Sequence, residues 1–375
     1  MKRVSLPVAI TIGCGLIFLG LAASFLVKKG NLNRGNKPEP KETIKRTDYT
    51  DVARKTLDWI DQQRNEEGWY ILERGCDYEK KTCDIVWDNK EGNKDGLIAT
   101  WARLNFFEQH QDPKDLEIVK KDIDLFFDKY KDDNLSDSLW LCKITYEMAQ
   151  SKYINQTQKD KLKELCMKVE YPGVEEVREN NIDRLSKFKG SKVWEDWKSY
   201  QLVVRGFNSD FGLVTEMVFR FKWTNDKDYL NQAKQYLDTL KDIVDRDDIF
   251  KVNNMCLLGI SSLDFYETNR EDEANMKYVD DIYEAGINNK ASRKQYQTSI
   301  CGYLVTELYK ITGDKNYWIG LENNNNVLVK NLRDDGASFA NLITNGGFFK
   351  TTTGGFDVLF KNVAENGLIV ELLRN

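Results

Sequence analysis

What most narrows the fold of this chain is an alternation between two kinds of helical segment. One kind is heavily charged outside an apolar stripe: 51–64, 114–131, 158–169, 228–245, 271–284 and 315–331. The other is apolar on most sides: 96–110, 137–150, 210–223, 254–266, 298–311 and 357–373. Segment 114–131 carries 10 charged residues in 18, whereas 96–110 carries 2 in 15. A helix that is apolar nearly all round must be buried, and a striped one faces solvent. The chain therefore alternates outer and inner helices, about six of each.

The connections follow the same alternation. Inner-to-outer links are short, as at 111–113 and 313–314, and short links imply antiparallel neighbours. Outer-to-inner links include the long stretches 65–95, 170–209 and 334–356. If the pairs close into a ring, every long link emerges where the inner helices begin, and function concentrates at a loop-bearing end. An open solenoid is the competing layout. About six pairs with loops on one side favour closure, so the expected fold is all-α, an (α/α)6 toroid over 48–375.

This pattern of outer-inner hairpins resembles the six-hairpin glycosidase-like (α/α)6 toroid superfamily. The resemblance covers roughly Asp48 to Asn375 as a pattern rather than as a motif. It implies a carbohydrate-active domain, foremost a glycoside hydrolase without cofactor, with polysaccharide lyase or epimerase chemistry and non-catalytic binding of a glycan or partner protein as alternatives. A lyase or epimerase would place Tyr296 and Arg205 at the mouth. The segment 53–70 also resembles the Gln-and-Trp repeats of terpene-cyclase toroids, but in one copy and without an Asp-x-Asp-Asp acid motif. Leu57, Trp59 and Ile60 read more simply as the buried stripe of the first outer helix.

Composition removes several chemistries. The single histidine, His110, leaves no His-rich metal site and no Ser-His-Asp arrangement, and it sits where a cation suits a helix C-terminus. A net charge of -5 argues against a nucleic-acid partner. Carboxylates remain as general acids and bases, and glycoside cleavage needs two of them. Asp95, Asp137, Asp210 and Asp357 stand at expected inner-helix starts, with Asp88 and Trp87 in the first long link and Trp194 in the second. Asp210 and Asp95 are the preferred pair, and Trp87, Asp88, Trp194 and Tyr296 are candidate sugar contacts. The competing reading is helix capping, which selects the same residue type at the same places.

The N-terminus reads separately. Residues 4–27 contain no charge and are long enough to cross a bilayer core of about 30 Å. The expected layout is a single-pass anchor over 1–29, in contact with membrane lipid, followed by a solvated linker over 30–47. Cys76 and Cys83 lie in a polar stretch and could close a short disulfide loop, which points to an extracytoplasmic domain; two unpaired thiols are the alternative. Cys142, Cys166, Cys256 and Cys301 read as small buried hydrophobes. Thr157, within Asn155-Gln-Thr157, reads as a helix cap, and the run Asn323 to Asn326 weakens the last outer helix.

Overall fold

The structure is a computed structural model and describes residues 47–70, 73–77, 82–86, 94–135, 138–190, 197–245, 253–270, 273–284, 299–331 and 358–374. Asp48–Asn375 form one compact unit. Its helices are α1 (Thr50–Asp61), α2 (Leu97–His110), α3 (Pro113–Tyr130), α4 (Leu141–Gln150), α5 (Gln156–Lys168), α6 (Val174–Gly190) and α7 (Trp197–Thr224). Then follow α8 (Lys227–Asp245), α9 (Asn253–Thr268), α10 (Glu273–Ile282), α11 (Ser299–Thr312), α12 (Lys315–Asn331) and α13 (Val363–Arg374).

The apolar helices meet as the alternation requires. Round the ring, α2 packs on α4, then α7, α9, α11 and α13, and α13 returns to α2. Outer helices α3, α5, α8, α10 and α12 each pack on the inner helix before them, while α1 packs on α13. The two ends of the domain thus complete one hairpin. The closing contact is tight: a Cβ on Gly367 of α13 would lie 2.8 Å from the Ala99 Cα of α2. Ten residues of α2, the eight from Leu97 to Leu104 with Phe106 and Phe107, are buried, as befits a helix surrounded on all sides.

Local signals set the short links. Gln111 takes a left-handed φ of 59° after α2, Asp112 accepts a hydrogen bond from the Lys114 amide, and Pro113 opens α3 where its missing N–H costs nothing. Before α5 the cap is Asn155, which accepts from the Gln158 amide, so Thr157 falls inside the first turn. The asparagine run does not weaken α12. Asn325 donates to the Leu372 carbonyl of α13 at 3.2 Å, and Asn326 accepts from the Tyr49 hydroxyl at 3.1 Å. Tertiary bonds thereby offset a poor intrinsic helix propensity.

Four expectations need correction. The fold is not purely helical: β1 (Glu73–Asp77), β2 (Thr82–Val86) and β3 (Val358–Asn362) form an antiparallel sheet of order β2-β1-β3. The stretch read as a polar loop is therefore a hairpin, and its β1 pairs Glu73 with Asn362 and Asp77 with Val358 at the lead-in to α13. The link 170–209 contains α6, and α7 starts at Trp197, so Asp210 lies in mid-helix. Helix α4 starts at Leu141, after Asp137.

The last correction concerns sulfur. Cys142 is bonded to Cys166 and Cys256 to Cys301, which ties α4 to α5 and α9 to its ring neighbour α11. All four are buried, as expected of small hydrophobes, but they are bonded in pairs and are not free thiols. No helix among the described residues is long and apolar enough to cross a membrane, and segment 4–27 lies outside them.

Candidate functional site

Because the long links feed the inner-helix N-termini, the starts of α2, α4, α7, α9, α11 and α13 define one mouth. A single turn, Lys94–Gly96, leads into α2. Gly96 is needed there, since a Cβ would lie 2.8 Å from the Tyr70 ring. Lys94 Nζ donates to the Asn134 carbonyl at 2.6 Å, which pins the lead-in of α2 to that of α4.

Below the mouth three rings from three inner helices meet. Trp101 in the first turns of α2 and Trp140 at the head of α4 both pack on Tyr303 of α11, with centroids 5.9 and 5.4 Å apart. Neither indole N–H has a hydrogen-bond partner among the described residues. Further down, charged groups occupy helices that are otherwise apolar. Lys143 of α4 pairs with Asp264 of α9 at 2.6 Å, and Asp264 also accepts from the Thr215 hydroxyl of α7 at 2.9 Å. Asn105 of α2 donates to Glu371 of α13 at 2.9 Å, and Glu371 is held by Arg374. Buried charges persist when paired and hydrogen-bonded in this way.

Two glutamates there are shifted. Burial pushes the Glu147 carboxyl up to about 7; Lys143 opposes this, and the negative charges of Glu307, Asp264 and Glu371 reinforce it. Burial also pushes Glu216 up to about 7, against hydrogen bonds from the Cys142 amide and the Tyr171 hydroxyl, each 2.8 Å. Glu307 is held low although burial acts upward, because Lys310 and Lys143 outweigh it.

The candidate aspartates are placed as follows. Asp95 lies in the turn before α2, with its side chain outside the described part of the structure. Asp137, Asp357, Asp88, Trp87, Trp194 and Tyr296 lie outside the described residues. Cys76 is on β1 and Cys83 on β2, with their sulfur atoms likewise undescribed. Asp210 is buried, accepts from Asn181 Nδ2 at 2.9 Å, and is ion-paired to Arg184. Burial raises its pKa, with Arg184 and Asn181 acting against it. It clasps α6 to α7.

Two further features lie away from the mouth. Asp115 and Asp122 of α3 are fully buried among Arg54, Arg64, Arg103 and Tyr70, and join α1, α2 and α3. A groove of about 870 Å³ runs between α6 and α8 on the outer wall, lined by Glu175, Glu176, Asp238 and Asp242 among others. Among the described residues no group of acidic, histidine or cysteine side chains is arranged to hold a metal ion.

Solved structures share this architecture. The Lin0763 protein from Listeria innocua is 13% identical with a TM-score of 0.56, over 88% of this chain and 97% of that one. An inactive variant of the GH76A α-1,6-mannanase of Salegentibacter sp. HEL1_6, with two consecutive aspartates changed to alanine and an α-1,6-linked mannose oligosaccharide bound, is 12% identical. Its TM-score is 0.55, over 88% of this chain and 98% of that one. A possible GH105 member from Salmonella enterica is 13% identical with a TM-score of 0.52, over 90% and 95%. The chain thus has the six-hairpin (α/α)6 toroid fold. No family model and no curated protein matches its sequence.

Proposed function

We propose that this chain is a membrane-anchored, extracytoplasmic carbohydrate-active protein, a glycoside hydrolase whose mouth takes a mannose-type oligosaccharide. The observation that carries the reading is ring closure: it gathers the starts of six remote helices round one opening, with the packed rings of Trp101, Trp140 and Tyr303 buried beneath it. The mannanase with a bound oligosaccharide has the same fold and supports the substrate class.

The chemistry requires one carboxylic acid to protonate the leaving oxygen and one carboxylate to act as base or nucleophile. Asp95 and Asp137 are the preferred pair, because their lead-ins are joined through Lys94 and Asn134 and feed neighbouring inner helices. Asp357, before β3, is the third candidate, and Asp210 is left to the α6–α7 clasp. Trp87, Asp88, Trp194 and Tyr296 remain the proposed sugar contacts, and no cofactor is invoked. Segment 4–27 is proposed as the tether. Two internal disulfides support maturation in an oxidising compartment.

The test is a glycan panel assayed for product release by the full chain in mild detergent, alongside Asp95→Asn, Asp137→Asn and Asp357→Asn. Loss of turnover by about 100-fold or more in two of the three fits an acid-base pair. Turnover unchanged in all three refutes the assignment. Binding without turnover in the unaltered chain identifies a toroid that holds a glycan rather than cleaving it.

A further inference from the structure

Helix α4 begins without a cap of its own. Its N-cap position is Trp140, which has no capping side chain and sits at φ 56°, a left-handed conformation that non-glycine residues disfavour. The nearby Ser138 hydroxyl is buried and has no hydrogen-bond partner among the described residues. What reaches the first amides of α4 instead is Glu216, from the body of the neighbouring inner helix α7. Its Oε2 accepts from the Cys142 N–H at 2.8 Å. A carboxylate at a helix N-terminus satisfies an otherwise orphaned donor and meets the positive end of the helix dipole.

Glu216 is itself held in place. The Tyr171 hydroxyl donates to the same oxygen at 2.8 Å, Arg220 lies over the Tyr171 ring at 4.6 Å, and Arg220 also donates to the Cys166 carbonyl at 2.9 Å. The Cys142–Cys166 bond then anchors the second residue of α4 to α5. Each partner fixes the place where α4 starts, and with it the Trp140 ring, buried beneath the mouth against Tyr303.

We propose that Glu216 is the positioning residue of the mouth: it caps α4 from the neighbouring helix and thereby holds the Trp140 turn in the geometry that receives the glycan. The capping half stands on the hydrogen bonds alone, and the glycan half rests on the function proposed above. The experiment has one arm for each. Amide exchange of the full chain is measured at the start of α4 in Glu216→Ala and Glu216→Gln, and KM and kcat are measured on whichever glycan the unaltered chain cleaves.

Glu216→Ala should speed exchange of the Leu141 and Cys142 amides about fivefold, the usual worth of a cap, while amides of α9 and α11 stay protected. Glu216→Gln keeps an acceptor oxygen and should restore exchange to within about twofold. KM should follow the exchange, rising in the alanine variant and recovering in the glutamine one, with kcat little changed. Exchange that stays slow in Glu216→Ala overturns the proposal. So does exchange that rises equally round the whole ring, or is as fast in Glu216→Gln as in Glu216→Ala. If the alanine variant does not fold, Glu216→Met against Glu216→Gln makes the same comparison with the bulk retained. A cap confirmed by exchange with KM unmoved removes the link to the mouth; no activity in the unaltered chain removes the proposed function and leaves the cap standing.

Discussion

The two disulfides make the sharpest stability prediction. Cys256 and Cys301 are separated by 45 residues in sequence, Cys142 and Cys166 by 24. Cross-linking removes loop-closure entropy from the unfolded chain, and that entropy grows slowly with loop length. With these separations the model gives about 4 kcal/mol for Cys256–Cys301 and about 3.5 kcal/mol for Cys142–Cys166 at 25 °C. Both cysteines of the longer loop are almost fully buried, so replacing them with alanine leaves only small holes beside the lost constraint. The perturbation is the double substitution Cys256→Ala with Cys301→Ala. The assay is guanidinium denaturation without reductant, compared with the unaltered chain with and without reductant. The double variant should lose about 4 kcal/mol, and reductant should cost the unaltered chain more than it costs the variant. Thiol titration in denaturant without reductant should leave these four cysteines unreactive. Free thiols at all four positions, or an unmoved midpoint in the double variant, would refute the reasoning.

Three further outcomes follow from named contacts. Glu147 is raised to about 7 in the folded protein, from 4.5, so stability is lost as pH climbs through that interval and is flat above it. Glu147→Gln should therefore match the unaltered chain at pH 4 and exceed it at pH 8. The gain is roughly 1–2 kcal/mol, discounted because the side chain is 32% exposed, and is read from denaturation midpoints at the two pH values. Asp122→Asn leaves the Arg64 charge half-satisfied inside the α1–α3 contact and should cost about 3 kcal/mol in the same assay. Gly367→Ala should destabilise by about 1–3 kcal/mol even though alanine favours helix, because the added Cβ meets the Ala99 backbone; a stabilised variant would contradict ring closure at that point.

The ring was legible because burial on all sides is written into composition: α2 holds only two charged residues, and one of them, Arg103, is paired with Asp115 and Asp61. Helix α6 was hidden for the opposite reason. Only Val177 and Asn181 among its described side chains are buried, which leaves too little apolar periodicity to notice. The true start of α4 could not be read locally, since its cap comes from Glu216, some 74 residues away. Asp210 looks like a helix start in sequence because aspartate caps helices, whereas Asn181 and Arg184 of α6 hold it in mid-helix. The axial charges did leave a signal. Lys143, Glu147, Glu216, Asp264, Glu307 and Glu371 each interrupt an apolar inner helix, and such an interruption is tolerated only where a partner is supplied, from a neighbouring helix for Lys143, Glu216, Asp264 and Glu371 and from the same helix for Glu147 and Glu307. The β1–β3 pairing is hidden in the sequence because it joins segments nearly three hundred positions apart.

The central claim is that the common mouth of the inner helices receives the glycan. A crystal structure of the protein soaked with the oligosaccharide proposed above tests it most directly. Density for sugar rings is expected at the starts of α2, α4 and α11, above the buried layer of Trp101, Trp140 and Tyr303. Sugar bound only in the outer groove between α6 and α8, or an empty mouth at saturating ligand, would contradict it.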